Sequence, residues 1–151
     1  MTSDCTPSGS LIIHSALLVD DGVVVPDAWV RVESGRITAR GVGRTWASAD
    51  EVVDAQAVAG PGAILTPGFI DIHGHGGAGA SFDDGVEAIR AARALPRRHG
   101  ATRAVVSLVT APIDGLERRV ADIADLMETD HDILGSHLEG PFLDPAHHGA
   151  H

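Results

Sequence analysis

Leu65-Thr66-Pro67-Gly68-Phe69-Ile70-Asp71-Ile72-His73-Gly74-His75-Gly76 is the stretch on which the fold turns. Before Pro67-Gly68 the chain reads as short strands divided by turns, and after it strands alternate with amphipathic helices. Residues 69–72 form a short apolar strand, and His73 and His75 follow it directly. Side chains two apart on an extended chain project to the same side, so both imidazoles reach one point at the strand's C-terminal end. Gly74 keeps the space between them clear, and Gly76, Gly77 and Gly79 let the backbone turn away sharply.

Downstream, a helix is expected over residues 84–98, burying Val86, Ile89 and Leu95. The β-branched run 104–110 is a second strand. Leu116, Val120, Ile123 and Met127 then recur at one face of a 3.6-residue period, a second helix, and residues 132–138 are a third strand. The order βαβαβ implies parallel strands with right-handed crossovers, the start of a barrel or of a doubly wound sheet.

Upstream, residues 1–10 read as a flexible leader. Residues 11–19 are a strand closed by Asp20-Asp21-Gly22, and 23–25 begin a return strand that Pro26 is expected to interrupt. Residues 29–33 and 36–40 alternate with period two around Ser34-Gly35, the clearest hairpin in the chain. Short strands at 51–55 and 63–66 complete a unit expected to be all-β, without a helix. The expected organisation is thus a leader (1–10), a small β domain (11–66) and an α/β part (67–151).

Two neutral imidazoles on a common side suit a borderline divalent metal such as zinc. Surface and satisfied core histidines also occur as His-x-His pairs, but this pair sits where a β/α barrel carries its reactive groups. The second cluster is Gly135-Ser136-His137-Leu138-Glu139-Gly140-Pro141-Phe142. Glu139 ends the third strand, so its carboxylate lies on the same rim as His73 and His75 and can complete or bridge a metal site; the competing reading is a loop carboxylate that caps a helix or pairs with an arginine. His137 is read either as a ligand, as a buried histidine bonded to a backbone carbonyl, or as support for the site. His147 and His148 are read as loop histidines, solvated or in contact with a ligand, while His14 and His99 have no partner in the pattern. No Gly-x-Ser-x-Gly elbow and no Walker loop is present.

Composition sets further bounds. Of 151 residues, 21 are acidic and 11 basic, a formal charge of −10, and every basic residue is arginine. That balance argues against a nucleic-acid partner. The single cysteine, Cys5, can form no intramolecular disulfide. The first basic residue is Arg31 and no apolar run approaches the ~20 residues of a membrane span, so a cytoplasmic protein without membrane association is expected.

The leader domain, the 65–76 stretch and Ser136-His137-Leu138-Glu139-Gly140-Pro141-Phe142-Leu143 with Gly149-Ala150-His151 resemble the amidohydrolase superfamily, in particular its N-acetylglucosamine-6-phosphate deacetylase branch. The resemblance runs from about Leu11 to the last residue. It implies an incomplete TIM-type (β/α)8 barrel, its first three strands, preceded by a small all-β sandwich-like domain. It also implies that Glu139 is a metal ligand, that His73 and His75 are a ligand pair present in many members, and that Ala150, with His151 beside it, contacts substrate. The implied cofactor is a divalent cation, Zn2+ or Fe2+, and the implied substrate is a phosphorylated amino sugar. Many members of the superfamily bridge two metals with a carboxylated lysine; this chain contains none, which leaves that role to a glutamate.

The same resemblance puts the general acid/base aspartate beyond His151 and makes the full-length member a homodimer. A complete barrel needs ~250 residues, so the chain is expected to be the N-terminal portion of such an enzyme and inactive alone. Another amidohydrolase, a different N-acyl sugar deacetylase or a cyclic amidase, and a non-catalytic metal-binding remnant are the alternatives.

Overall fold

A computed structural model describes residues 9–149. The chain divides into two compact units, Met1–Pro67 and Gly68–His151.

In the first unit, β1 (Ser10–Asp20) is the central strand. Its residues alternate, burying Ile12, His14, Ala16 and Leu18, the period-two pattern of a sheet with one covered face. β2 (Val23–Glu33) returns antiparallel to it, and β3 (Arg36–Val42) pairs with β2. The turn between them places Ser34 at φ 49° and Gly35 at φ 73°, the two positive values that a two-residue type I′ hairpin requires. Trp29 lies opposite Gly41 and covers it, so that a Cβ on Gly41 would stand 2.7 Å from the indole.

β4 (Glu51–Asp54) and β5 (Ile64–Leu65) both run parallel to β1, against its first and second halves respectively. Between them lies α1 (Ala55–Ala59), where Asp54 caps the N-terminus by accepting from the Gln56 and Ala57 amides. The unit is therefore not free of helix. Its described strands make one mixed five-stranded sheet.

Pro26 does not interrupt β2. The β1–β2 register slips twice, leaving an extra residue on β1 between Ile13 and Ala16 and an extra one on β2 between Val25 and Ala28. Ser15 (φ 59°) and Asp27 (φ 50°) take positive φ at these bulges. A proline with no N–H to offer is accommodated where the ladder is already broken.

In the second unit, β6 (Phe69–Gly74) leads through the small hairpin β7 (Gly76–Gly77) and β8 (Ala80–Ser81) and a 3-10 turn (Phe82–Asp84) into α2 (Val86–Arg98). β9 (Ala101–Leu108), α3 (Ile113–Met127) and β10 (Ile133–Leu138) follow. The strands pair in the order β10-β9-β6, all parallel. Among the described strands, β6 and β10 each pair only with β9 in this sheet, and Phe69, Ile70 and Ile72 of β6 are exposed.

The core on the helical side joins Phe82, Ile89, Ala92, Val106, Leu108, Leu116, Ile123, Leu126 and Ile133. Each large aliphatic side chain buried there contributes about 1.5–3 kcal/mol by transfer from water. Leu95 was expected in this core and is instead 41% exposed, while Arg93 is only 7% exposed. Arg93 turns inward because Asp130 accepts from its guanidinium at 2.7 Å. No described helix is long and apolar enough to cross a membrane.

Candidate metal centre

His73 and His75 stand at the C-terminal end of β6, and the backbone around them is shaped locally. The β6–β9 register slips between Asp71 and Gly74. Asp71 Oδ1 accepts from the His73 amide at 3.2 Å, and a Cβ on Gly74 would stand 2.9 Å from Asp71 Oδ2. Gly74 thus makes room for the Asp71 carboxylate, which closes the bend. His75 is held from the other side, where its carbonyl accepts from the Phe82 amide at 2.9 Å. The next residue, Asp83, accepts from the Val109 amide at 3.3 Å and from Arg119 at 3.0 Å, tying this loop to the end of β9 and to α3.

Glu139 follows β10 directly. Its amide donates to the Leu108 carbonyl at 3.0 Å, and its carbonyl accepts from Thr110 Oγ1 at 2.8 Å. The backbone at this point is therefore anchored to the end of β9 at both polar groups. Gly140 takes φ 99°, and a Cβ there would overlap Thr110 Oγ1.

The three side chains converge. His73 Nε2 lies 2.5 Å from Glu139 Oε1, His75 Nε2 lies 3.2 Å from Glu139 Oε2, and the two Nε2 atoms are 3.3 Å apart. One ligand atom from each residue lies within 4.8 Å of the others, and no other group of three or more potential ligands forms among the described residues. Two imidazole nitrogens and a carboxylate oxygen are a donor set suited to a borderline divalent cation. The residues present fit a divalent metal.

His137 is not in this group. Its Nδ1 pairs with the Ser107 hydroxyl at 3.1 Å, not with a backbone carbonyl, and its ring meets the His73 ring edge-on at 4.9 Å between centroids. His147 is exposed and pairs with Asp144 at 3.0 Å, and His148 is exposed. The Ala146 amide, then His147, hold the Asp144 carboxyl below its ordinary range. Ala150 and His151 lie outside the described residues. In the other unit, His14 is buried, stacked on Trp46 at 5.2 Å and bonded through Nδ1 to Ser15 Oγ at 2.7 Å, a structural partnership that the sequence pattern does not reveal. The residues that sequence reasoning passes over are Asp71, Ser107 and Thr110. Only Asp71, two positions before the first histidine, carried a local signal, since aspartate commonly bonds a backbone amide two residues on.

No protein-family model matches the chain. Among curated proteins, the N-acetylglucosamine-6-phosphate deacetylase of Bos taurus is 36% identical over 131 residues, which are 83% of this chain and 31% of the relative. The N-acetylgalactosamine-6-phosphate deacetylase of Escherichia coli O157:H7 is 34% identical over 92 residues, 58% of this chain and 24% of the relative. Among solved structures, a variant N-acetyl-D-glucosamine-6-phosphate deacetylase from Mycobacterium smegmatis, in complex with N-acetyl-D-glucosamine-6-phosphate, superposes with a TM-score of 0.76 at 34% identity, covering 94% of this chain and 35% of that one. The chain spans about a third of the length of the first curated relatives it matches. Over most of its residues, this chain is a homologue of the N-acetylglucosamine-6-phosphate deacetylases and corresponds to about a third of such a protein.

Proposed function

We propose that this chain carries part of the divalent-metal site of an enzyme that hydrolyses the acetamide of N-acetylglucosamine 6-phosphate to glucosamine 6-phosphate and acetate. The observation that supports this reading is the convergence of His73, His75 and Glu139 at strand C-terminal ends, in a chain whose relatives are such deacetylases. We read β6, β9 and β10 as strands of a TIM-type barrel and residues 11–66 as the small β domain that accompanies it. Zinc or ferrous iron suits the donor set.

His73, His75 and Glu139 are the residues that would hold the ion. When bound, the ion lowers the pKa of a water and polarises the acetamide carbonyl. Ala150 and His151 are assigned to substrate contact by resemblance alone. Glu139, engaged as a ligand, is the only carboxylate in the cluster, so the cluster has none left to carry the proton to the leaving amine. The chain by itself is therefore expected to bind metal without turning over.

Calorimetric titration of the 151-residue chain with Zn2+ and Fe2+, alongside an acetate-release assay on both hexosamine phosphates, tests the reading. Binding of a divalent ion that Glu139→Gln abolishes, with no acetate released, is the expected result. Equal binding by the Gln variant overturns the assignment of the site, and turnover by the chain overturns the claim that it is inactive alone.

A further inference from the structure

We infer that Ser107 and His137 are a positioning pair that holds the His73 imidazole in the orientation facing Glu139. The inference deepens the metal-site reading above and, for its consequence on metal affinity, rests on it.

His73 belongs to β6 and His137 to β10, and β9 runs between those strands. Next-nearest strands lie about 9.6 Å apart, twice the inter-strand spacing. Yet the two rings meet edge-on, 4.9 Å between centroids. The residue of β9 that stands in register with His137 is Ser107. Val106 and Leu108 on either side of it point into the core under the helices, so Ser107 points to the opposite face, the one on which the histidines meet. Its small side chain leaves the gap across which the rings reach each other.

The same side chain also fixes one of those rings. Ser107 is fully buried, and its hydroxyl pairs with His137 Nδ1 at 3.1 Å. The Ser107 hydroxyl, left alone at this depth, would be an unsatisfied buried polar atom, so its bond to the half-buried His137 ties the two side chains together. His137, with its rotation restricted, meets the ring of His73, whose side chain is 53% exposed and is otherwise held through its contacts with Glu139 and His75. Outer partners that orient metal ligands through hydrogen bonds commonly contribute about 10–100-fold in metal affinity, and we take that range as the scale for this ring contact.

The test compares Ser107→Ala, His137→Gln and His137→Phe with the unaltered chain. Zn2+ titration, the visible spectrum of the Co2+ form, and imidazole nitrogen NMR of the metal-free chain are the readouts. His137→Gln is expected to lose about 10–100-fold in Zn2+ affinity, to shift the His73 ring resonances before any metal is added, and to alter the Co2+ bands. His137→Phe, which keeps an aromatic edge against His73, is expected to recover most of the affinity, and Ser107→Ala to fall between. His73 resonances that stay in place in His137→Gln overturn the inference, as does a Phe variant no better than Gln in every readout. If the unaltered chain binds no Zn2+, the metal reading fails separately, and the metal-free NMR comparison still decides whether the pair positions His73.

Discussion

His73 Nε2 stands 2.5 Å from Glu139 Oε1, although β9 separates the strands that carry the two residues. The contact is possible because His73 sits one residue before the end of β6 and Glu139 one residue past the end of β10, and a long glutamate side chain bridges the gap over β9. A cation placed between this carboxylate and the two imidazole nitrogens would compete for the same lone pairs. Glu139→Gln keeps the shape and removes the charge, so Zn2+ affinity should drop by more than about 100-fold, beyond what loss of a supporting contact produces. His75→Asn should cost at least about tenfold. Competition against a chromophoric chelator measures both; a Gln variant within a few-fold of the unaltered chain contradicts the assignment.

Gly140 makes a second prediction. Its φ of 99° is one that side chains rarely adopt, and a Cβ would overlap the Thr110 hydroxyl that bonds the Glu139 carbonyl. Gly140→Ala should lose about 1–3 kcal/mol of stability from backbone strain and should weaken metal binding as well, by displacing Glu139. Thr110→Ala alone should lose about 1 kcal/mol through its hydroxyl's bond to the Glu139 carbonyl. The double variant should be more stable than the sum of the two, because removing the hydroxyl relieves the overlap. Urea melts of the four proteins form the cycle, and strict additivity would mean that the overlap is absorbed elsewhere.

The parts of this molecule that sequence reveals are those whose causes are local. The Ser34-Gly35 turn, the 3.6-residue spacing along α3 and the rim position of His73, His75 and Glu139 all follow from residues within a few positions of one another. Pro26 misleads because the bulge that accommodates it is created by a register slip against β1. α1 has only five residues, too few to show a period. Leu95, expected in the core, is exposed, while Arg93 is buried because its partner is Asp130, 37 positions away. Ser107 is invisible for the same reason, since a serine in a β-branched run announces nothing until β10 places His137 opposite it.

Arg93 carries the third prediction. Its side chain is 8% exposed, lies 2.7 Å from Asp130 and 4.0 Å from Asp132, and pins α2 to the turn that precedes β10. Arg93 is buried while Asp130 is 26% exposed, so Arg93→Ala should cost about 1.5–3 kcal/mol through the lost charge-assisted hydrogen bond. Arg118 pairs with Asp114 at 3.0 Å, but both side chains are more than 70% exposed, and Arg118→Ala should cost no more than about 0.5 kcal/mol. Thermal melts of the two variants side by side test the contrast. Equal losses would show that burial does not distinguish the two pairs.

Asp50 carries the last. Its carboxylate accepts from the Ser10 amide at 2.7 Å and from the Ser10 hydroxyl at 2.8 Å, joining the start of β1 to the residue before β4. These bonds, the backbone one first, hold its pKa below the ordinary carboxylate value. A group whose pKa is lower folded than unfolded stabilises the fold fully above its unfolded value, about 3.9, and loses that contribution as pH falls through the folded value. The β1–β4 junction should therefore be insensitive to pH near neutrality and loosen only in acid below about pH 4. Ser10→Ala removes the hydroxyl donor and leaves the amide, so it should raise the Asp50 midpoint part of the way towards the ordinary value. Carboxyl-carbon NMR titration of Asp50 in both proteins reads this directly. A midpoint in the unaltered chain at or above the ordinary value would mean that the Ser10 bonds do not persist in solution, and the acid sensitivity of this junction would then have to come from elsewhere.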